Sequence, residues 1–190
     1  NQLNQEILAK ANTHDCTYIF IWLRPPLPLM AVVPPSVEVG MYDNVVGWLI
    51  NVSVYINSLY EAWYLVNASF TLTYLADSFL DVETVTIDTA SWDVIHWYDD
   101  TTVGQIDFIV ETSLTLSGNV KVADIQFKVL DQGDYPDVFS SPLLFQDVLL
   151  YDHDIEIPTR DPISGLIRIV GFITMPMPHL EVIPKDTVKG

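Results

Sequence analysis

Residues 33–74 read VPPSVEVGMYDNVVGWLINVSVYINSLYEAWYLVNASFTLTY, and their pattern decides the fold. Apolar side chains recur at every second position: Val37 and Val39, then Trp48, Ile50, Val52, Val54 and Ile56, then Phe70, Leu72 and Tyr74. A period of two puts these residues on one face of a strand and their neighbours on the other. Gly40 ends the first run and Asn57-Ser58 the second. The stretch therefore predicts strands of a two-sheet sandwich, each with one buried and one wet face.

Working outward from it, Pro34-Pro35 interrupts a run that extends from Met30 to Val39. Proline is confined to strand edges and bulges, so the interruption lets this strand pass from one sheet to the other. Before it, Pro25-Pro26-Leu27-Pro28 forms a stiff, extended connector. Residues 16–23, CTYIFIWL, are β-branched and aromatic without a charge, a strand that is hazardous if left exposed. It is either an edge strand on its own domain or a strand donated to the sheet of a neighbouring copy. Residues 1–15 read as a loose tail or a short helix over residues 5–11. The chain thus divides into an arm, 1–29, with a candidate assembly strand of Cys16, Thr17, Tyr18, Ile19, Phe20, Ile21, Trp22 and Leu23, and a sandwich domain, 30–190.

Downstream, residues 59–66 are a wide loop or one helical turn, and alternation resumes in part over residues 79–86. GQIDFIVET puts Ile106, Phe108 and Val110 on one face. VKVADIQFKVL alternates through Val120 and Val122, and again through Ile125, Phe127 and Val129. Residues 143–151 and 165–174 complete a set of roughly ten evenly spaced strands, an all-β jelly roll or sandwich.

The 190 residues are 49% apolar, ample for a core, and contain no apolar run long enough to span a bilayer. The net charge is −17, with 25 acidic residues against 8 basic, a surface that repels nucleic acid and anionic lipid. Asp outnumbers Glu by 18 to 7. Asp suits turns by bonding its own backbone, and it also suits Ca²⁺, which takes hard oxygens from short carboxylates on loops. Three loops are candidate cation sites: Asp99 with Asp100; Asp131, Asp134 and Asp137; and Asp152 with Asp154. The single cysteine, Cys16, excludes an internal disulfide. Asn51-Val52-Ser53 and Asn67-Ala68-Ser69 are N-glycosylation sequons, usable only in a secreted chain and only where the Asn faces solvent. Asn1 in place of an initiating Met fits a secreted chain after signal-peptide removal, and equally an arbitrary start.

No catalytic signature is present. His14, His96, His153 and His179 form no metal-spaced pair, and neither a nucleophile elbow nor a Gly-rich phosphate loop occurs. Cys16 sits in an apolar run, where burial raises a thiol pKa rather than activating it. Trp63, Trp92 and Trp97 could stack on a polysaccharide, although such residues serve more often as core or interface.

The segments SVEVG with WLINVSVYI, then ASFTLTYLADSFLDV, GQIDFIV, GNVKVADIQFKVL and VLLYD resemble cohesin-like domains in order and type over residues 37–157. The resemblance implies a jelly-roll sandwich in an extracellular, often calcium-rich setting. The arm, the Pro-spaced tail and the acidic surface also resemble the cannula proteins of hyperthermophilic archaea, which implies secreted subunits that assemble into tubes through donated strands and Ca²⁺ bridges. Two functions are expected, neither of them enzymatic. One is an extracellular structural subunit that polymerises with copies of itself through the 16–23 strand and Ca²⁺-bridged acidic loops. The other is a monomeric cohesin-like module that binds a dockerin-like partner or a polysaccharide.

Overall fold

The computed structural model describes residues 6–10, 18–22, 25–76, 78–99 and 102–174. Thirteen strands lie among them. The first two, β1 (Glu6–Lys10) and β2 (Tyr18–Trp22), form an antiparallel hairpin with Leu8 opposite Phe20. The sequence around residues 5–11 predicts tail or helix, and the structure corrects this: pairing with β2 overrides weak local preference. The candidate assembly strand therefore lies against a strand of its own chain over Tyr18–Trp22. Cys16, Thr17 and Leu23 lie outside the described residues.

The sandwich follows. Its smaller sheet orders β3 (Leu29–Val33), β5 (Leu49–Leu59), β10 (Gly118–Val129) and β7 (Leu80–Ile87) side by side. Its larger sheet runs β4 (Val37–Gly40), β13 (Gly165–Val170), β11 (Val138–Asp152), β6 (Asn67–Thr73), β9 (Gln105–Glu111) and β8 (Val94–Asp99), with β12 (Ile155–Ile157) added on β11. As the prolines predict, the chain leaves the smaller sheet after β3 and enters the larger one at β4.

The core is the sum of the alternating faces. Ile50, Val52, Val54 and Ile56 point inward from β5, Phe70 and Leu72 from β6, and Ile106, Phe108 and Val110 from β9. Phe70 stacks on Phe108 and meets Phe145 edge-on, while Phe127 meets Tyr74 in the same way. Complete burial of one such aliphatic or aromatic side chain stabilises by roughly 1.5–3 kcal/mol.

Departures from strict alternation coincide with bulges, where one extra residue resets which face a side chain meets. In β10 the register shifts between Lys121 and Ala123, so Val122 and Ala123 are both buried in succession. In β7 the extra residue is Glu83, and in β11 the shift lies between Gln146 and Leu149, with Asp147 in a left-handed conformation. Trp48, predicted inside, is 49% exposed. Val45–Trp48 is a turn closed by the Trp48 N–H donating to the Val45 carbonyl, and the strand begins only at Leu49.

Trp63 and Trp92 are core residues rather than a sugar platform. Both are buried, and their indole N–H groups donate to the carbonyls of Pro26 and Lys121. Trp63 ends a single 3-10 turn, Glu61–Trp63, so of the wide loop and the helical turn expected between β5 and β6 the structure holds the turn. Residues 25–28, read from sequence as a stiff connector, are fastened to the body: the Arg160 side chain donates to the Leu27 carbonyl and the Arg160 backbone N–H to that of Pro28.

Candidate functional site

The outer face of the larger sheet carries an ordered array of polar side chains. Because Ala68, Phe70 and Leu72 face inward, Asn67, Ser69, Thr71 and Thr73 face outward from β6. On β9 the same logic exposes Gln105, Asp107, Ile109 and Glu111. Register aligns these with β11 into four rungs: Tyr151–Asn67–Glu111, Leu149–Ser69–Ile109, Gln146–Thr71–Asp107 and Leu144–Thr73–Gln105.

The polar rungs are bonded crosswise. Thr71 Oγ1 donates to Asp107 Oδ1 at 2.5 Å, and Gln105 Nε2 donates to both oxygens of the same carboxylate at 2.9 and 2.7 Å. Asn67 Nδ2 donates to Glu111 Oε1 at 3.1 Å. Long polar side chains are thereby held in place before any partner arrives, which lowers the ordering cost of association. Beside the Tyr151–Asn67–Glu111 rung lies an open groove of about 990 Å³, lined also by Ser113, His153 and Asp154. Asp93 braces its wall: one carboxylate oxygen accepts from the Ser113 backbone N–H and the other from its hydroxyl. The Ser113 hydroxyl, followed by the N–H, holds the Asp93 carboxyl below the usual range.

The outer face of the smaller sheet differs in chemistry. Lys121 pairs with Asp124 at 3.0 Å and Lys128 with Glu83 at 3.2 Å. The Ser53 hydroxyl, assisted by Lys121, lowers the Asp124 pKa, and Asp124 raises that of Lys121. Both lysines of this face are paired on it, whereas the rungs of β11, β6 and β9 contain no Lys or Arg.

Among the described residues the candidate cation residues do not come together in threes. Asp131 caps its own loop, its Oδ1 accepting from the N–H groups of Gln132 and Gly133. Asp134 forms a bridge to Phe172, and its carbonyl accepts from the Asp137 N–H. Asp152 touches His153 at 2.7 Å in the two-residue turn between β11 and β12, and Asp154 lines the groove. Asp99 closes β8, a strand where a loop is expected, and Asp100 lies outside the described residues. Among the described residues no group of three His, Cys, Asp or Glu side chains converges. The sequons differ: Asn51 is exposed on the smaller sheet, and Asn67 is tied to Glu111 within the rungs.

Sequence reading missed the rungs as a site, although the signal was present. They are the complement of the alternating apolar set on β6 and β9.

A non-cellulosomal cohesin from the hyperthermophilic archaeon Archaeoglobus fulgidus superposes with a TM-score of 0.57 at 17% identity, over 78% of this chain and 93% of that one. The fold is that of the cohesin modules. The OlpC cohesin of Clostridium thermocellum, solved in complex with the Doc435 dockerin, matches with a TM-score of 0.58 at 13% identity, over 75% and 94% of the two chains. The type III cohesin of the ScaE cell-surface anchoring scaffoldin of Ruminococcus flavefaciens matches at 0.56 and 9%, over 75% and 87%. At these identities the likeness to cohesins is one of fold. No protein-family model matches the chain, and no curated protein does.

Proposed function

We propose that this chain is a protein-binding module, not an enzyme, and that it holds a dockerin-like partner on the outer face of the larger sheet. The observation that carries the reading is that face: bonded crosswise in advance, and carrying Ile109 and Leu144 exposed among polar rungs. Apolar anchors among satisfied polar groups are what a specific protein interface uses. Support comes from the fold neighbours, among them the OlpC cohesin solved with a dockerin. An extracellular or cell-surface setting goes with the same reading. Among the described residues no helix is long and apolar enough to cross a membrane.

The test is direct binding to a panel of purified dockerin modules by interferometry, with static light scattering of the chain alone. The reading expects a monomer that captures at least one dockerin, and a Ser69→Arg variant that folds but loses capture. Thr86→Arg on the smaller sheet should bind as well as the parent. Calcium-dependent polymers with no dockerin capture would refute the reading and favour self-assembly instead.

A further inference from the structure

We propose that the larger sheet contains a strand-addition site beyond the end of the rungs: an extended segment of a partner protein pairs with the open edge of β11 at Val138 and Ser140 and places one apolar side chain in the cavity beside it. This goes beyond the dockerin reading and does not depend on it. Two independent observations carry it, a row of unpaired backbone groups and a cavity.

The first is a notch in the sheet. On one side of β11, β13 pairs with it from Val138 to Leu143; on the other, β6 reaches only Leu144, opposite Thr73. Past Thr73 the chain turns away: the Leu75 N–H donates to the Ser141 hydroxyl oxygen at 2.9 Å, and the Ala76 N–H to the Tyr74 carbonyl. Among the described residues no strand takes its place beside residues 138–142. Register says which backbone groups are left open. The Leu166 N–H donates to the Pro35 carbonyl, and the Val170 carbonyl accepts from the Met41 N–H, so the backbone groups of Leu166, Arg168 and Val170 face β4. In an antiparallel ladder the residues opposite such positions also point away from their partner strand. Those residues are Pro142, Ser140 and Val138. The N–H and C=O groups of Val138 and Ser140 therefore face the notch, the two residues roughly 7 Å apart, and Pro142, which has no N–H, closes its end. An extended backbone is what matches donors and acceptors spaced in this way.

The second observation is what lies alongside. A cavity of about 220 Å³ runs along this stretch of β11, lined by Phe79, Leu80, Phe139, Ile167 and Ile169, with the exposed Leu75 and Val138 also on its wall. Phe79 stacks on Phe139, and the hydroxyl of the buried Ser141 is engaged by Leu75. Water can hydrate the backbone edge, but walls of this kind offer it few partners and favour apolar matter. In an antiparallel addition, the partner residues opposite Val138 and Ser140 bond to the edge. The residue between them, opposite Phe139, shares the inward face on which Phe139 packs against the core. Its side chain enters the cavity.

The experiment titrates the full, isotope-labelled chain with acetyl-Thr-Val-Leu-Val-Thr-amide and follows backbone amides by NMR and hydrogen exchange. The Val138 and Ser140 amides are expected to exchange freely in the chain alone and to gain about tenfold or more protection at saturating peptide. Replacing the peptide's Leu with Ser should weaken binding by about tenfold or more. N-methylation of both its Val residues removes the pairing donors, keeps the side chains, and should abolish binding. Ser140→Pro removes an N–H that β13 does not use and should abolish binding while unfolding stays cooperative; if that variant fails to fold, the N-methylated peptide on the parent chain carries the same test. Val138 and Ser140 amides protected without peptide would refute the proposal, giving the edge to a second copy if protection rises with concentration and to the chain itself if it does not. Equal binding of the N-methylated peptide would refute the pairing, and equal binding of the Ser peptide would refute the cavity. Shifts confined to other strands, or no shifts, would overturn the site.

Discussion

Replacing Gln132 with Met isolates one buried polar latch. Gln132 is 2% exposed, and its amide joins three segments: Oε1 accepts from the Val45 N–H at 3.0 Å, while Nε2 donates to the carbonyls of Asp43 and Val170 at 2.9 and 2.8 Å. Met fills nearly the same volume but offers no strong hydrogen bond, so the change tests bonding more than packing. The three lost bonds do not weigh equally. The Val170 carbonyl still accepts from the Met41 N–H, and Asp43 is exposed, so water can reach its carbonyl. Val45 is fully buried, and its N–H is orphaned. An unsatisfied buried donor costs about 1–3 kcal/mol, and the two weakened bonds add about 1 kcal/mol, so the variant should lose roughly 2–4 kcal/mol. For a chain of this size that lowers Tm by about 5–10 °C. Urea and thermal unfolding measure the loss, and hydrogen exchange locates it, with the Val45 amide losing protection while β5 retains its own. Gln132→Glu should be at least as damaging, because its carboxylate would face two carbonyl oxygens. A Met variant as stable as the parent, or one whose exchange rises uniformly, would refute the latch.

Gly40 has φ +103°, and an added Cβ would lie 2.2 Å from the Val170 carbonyl oxygen, so Gly40→Ala should destabilise by about 2 kcal/mol or more in urea unfolding; a loss below about 0.5 kcal/mol would contradict that geometry. Phe108 is buried and stacks on Phe70 with ring centroids 4.6 Å apart, so Phe108→Ala should cost about 3–5 kcal/mol by the same assay. The Ser53 hydroxyl, with Lys121, depresses the native pKa of Asp124, so this contribution to stability is complete above the unfolded value of about 3.9 and drains away as pH falls through the lower native one. Tm measured from pH 2 to 6 should therefore drop less steeply in Asp124→Asn than in the parent, and parallel curves would exclude the effect.

Much of the sandwich was legible because β5, β6, β9 and β10 each bury one face against an opposing sheet, and burial of that kind writes itself as alternation. The passage of the chain from β3 to β4 was legible for a different reason: proline cannot donate to a ladder. Alternation fails where pairing stops. Trp48 has the parity of a core residue, yet the turn at Val45–Trp48 releases it to solvent. It fails again where pairing itself creates the strand, as in β1, or where Pro142 and the Asp147 bulge hide the full length of β11. The candidate face could be inferred once the buried set was known. Gln132 could not, because its partners lie 87 and 38 residues away in the chain. In its loop the Asp131 carboxylate accepts from the Gln132 and Gly133 N–H groups.

Residues 28–41 run parallel beside residues 160–173 for their whole length. The bonds begin with Arg160 N–H to the Pro28 carbonyl, continue through Ile163 with Met30 and Val32 and through the β4–β13 ladder, and end with Ile173 N–H to the Met41 carbonyl. In a parallel pair, tension applied before Pro28 and after Ile173 pulls the two segments past each other rather than peeling them apart. Every bond along the seam then strains together, and none can yield ahead of the rest. A module joined into a longer chain at those two points would transmit force as a tether, with the remainder of the sandwich shielded behind the seam.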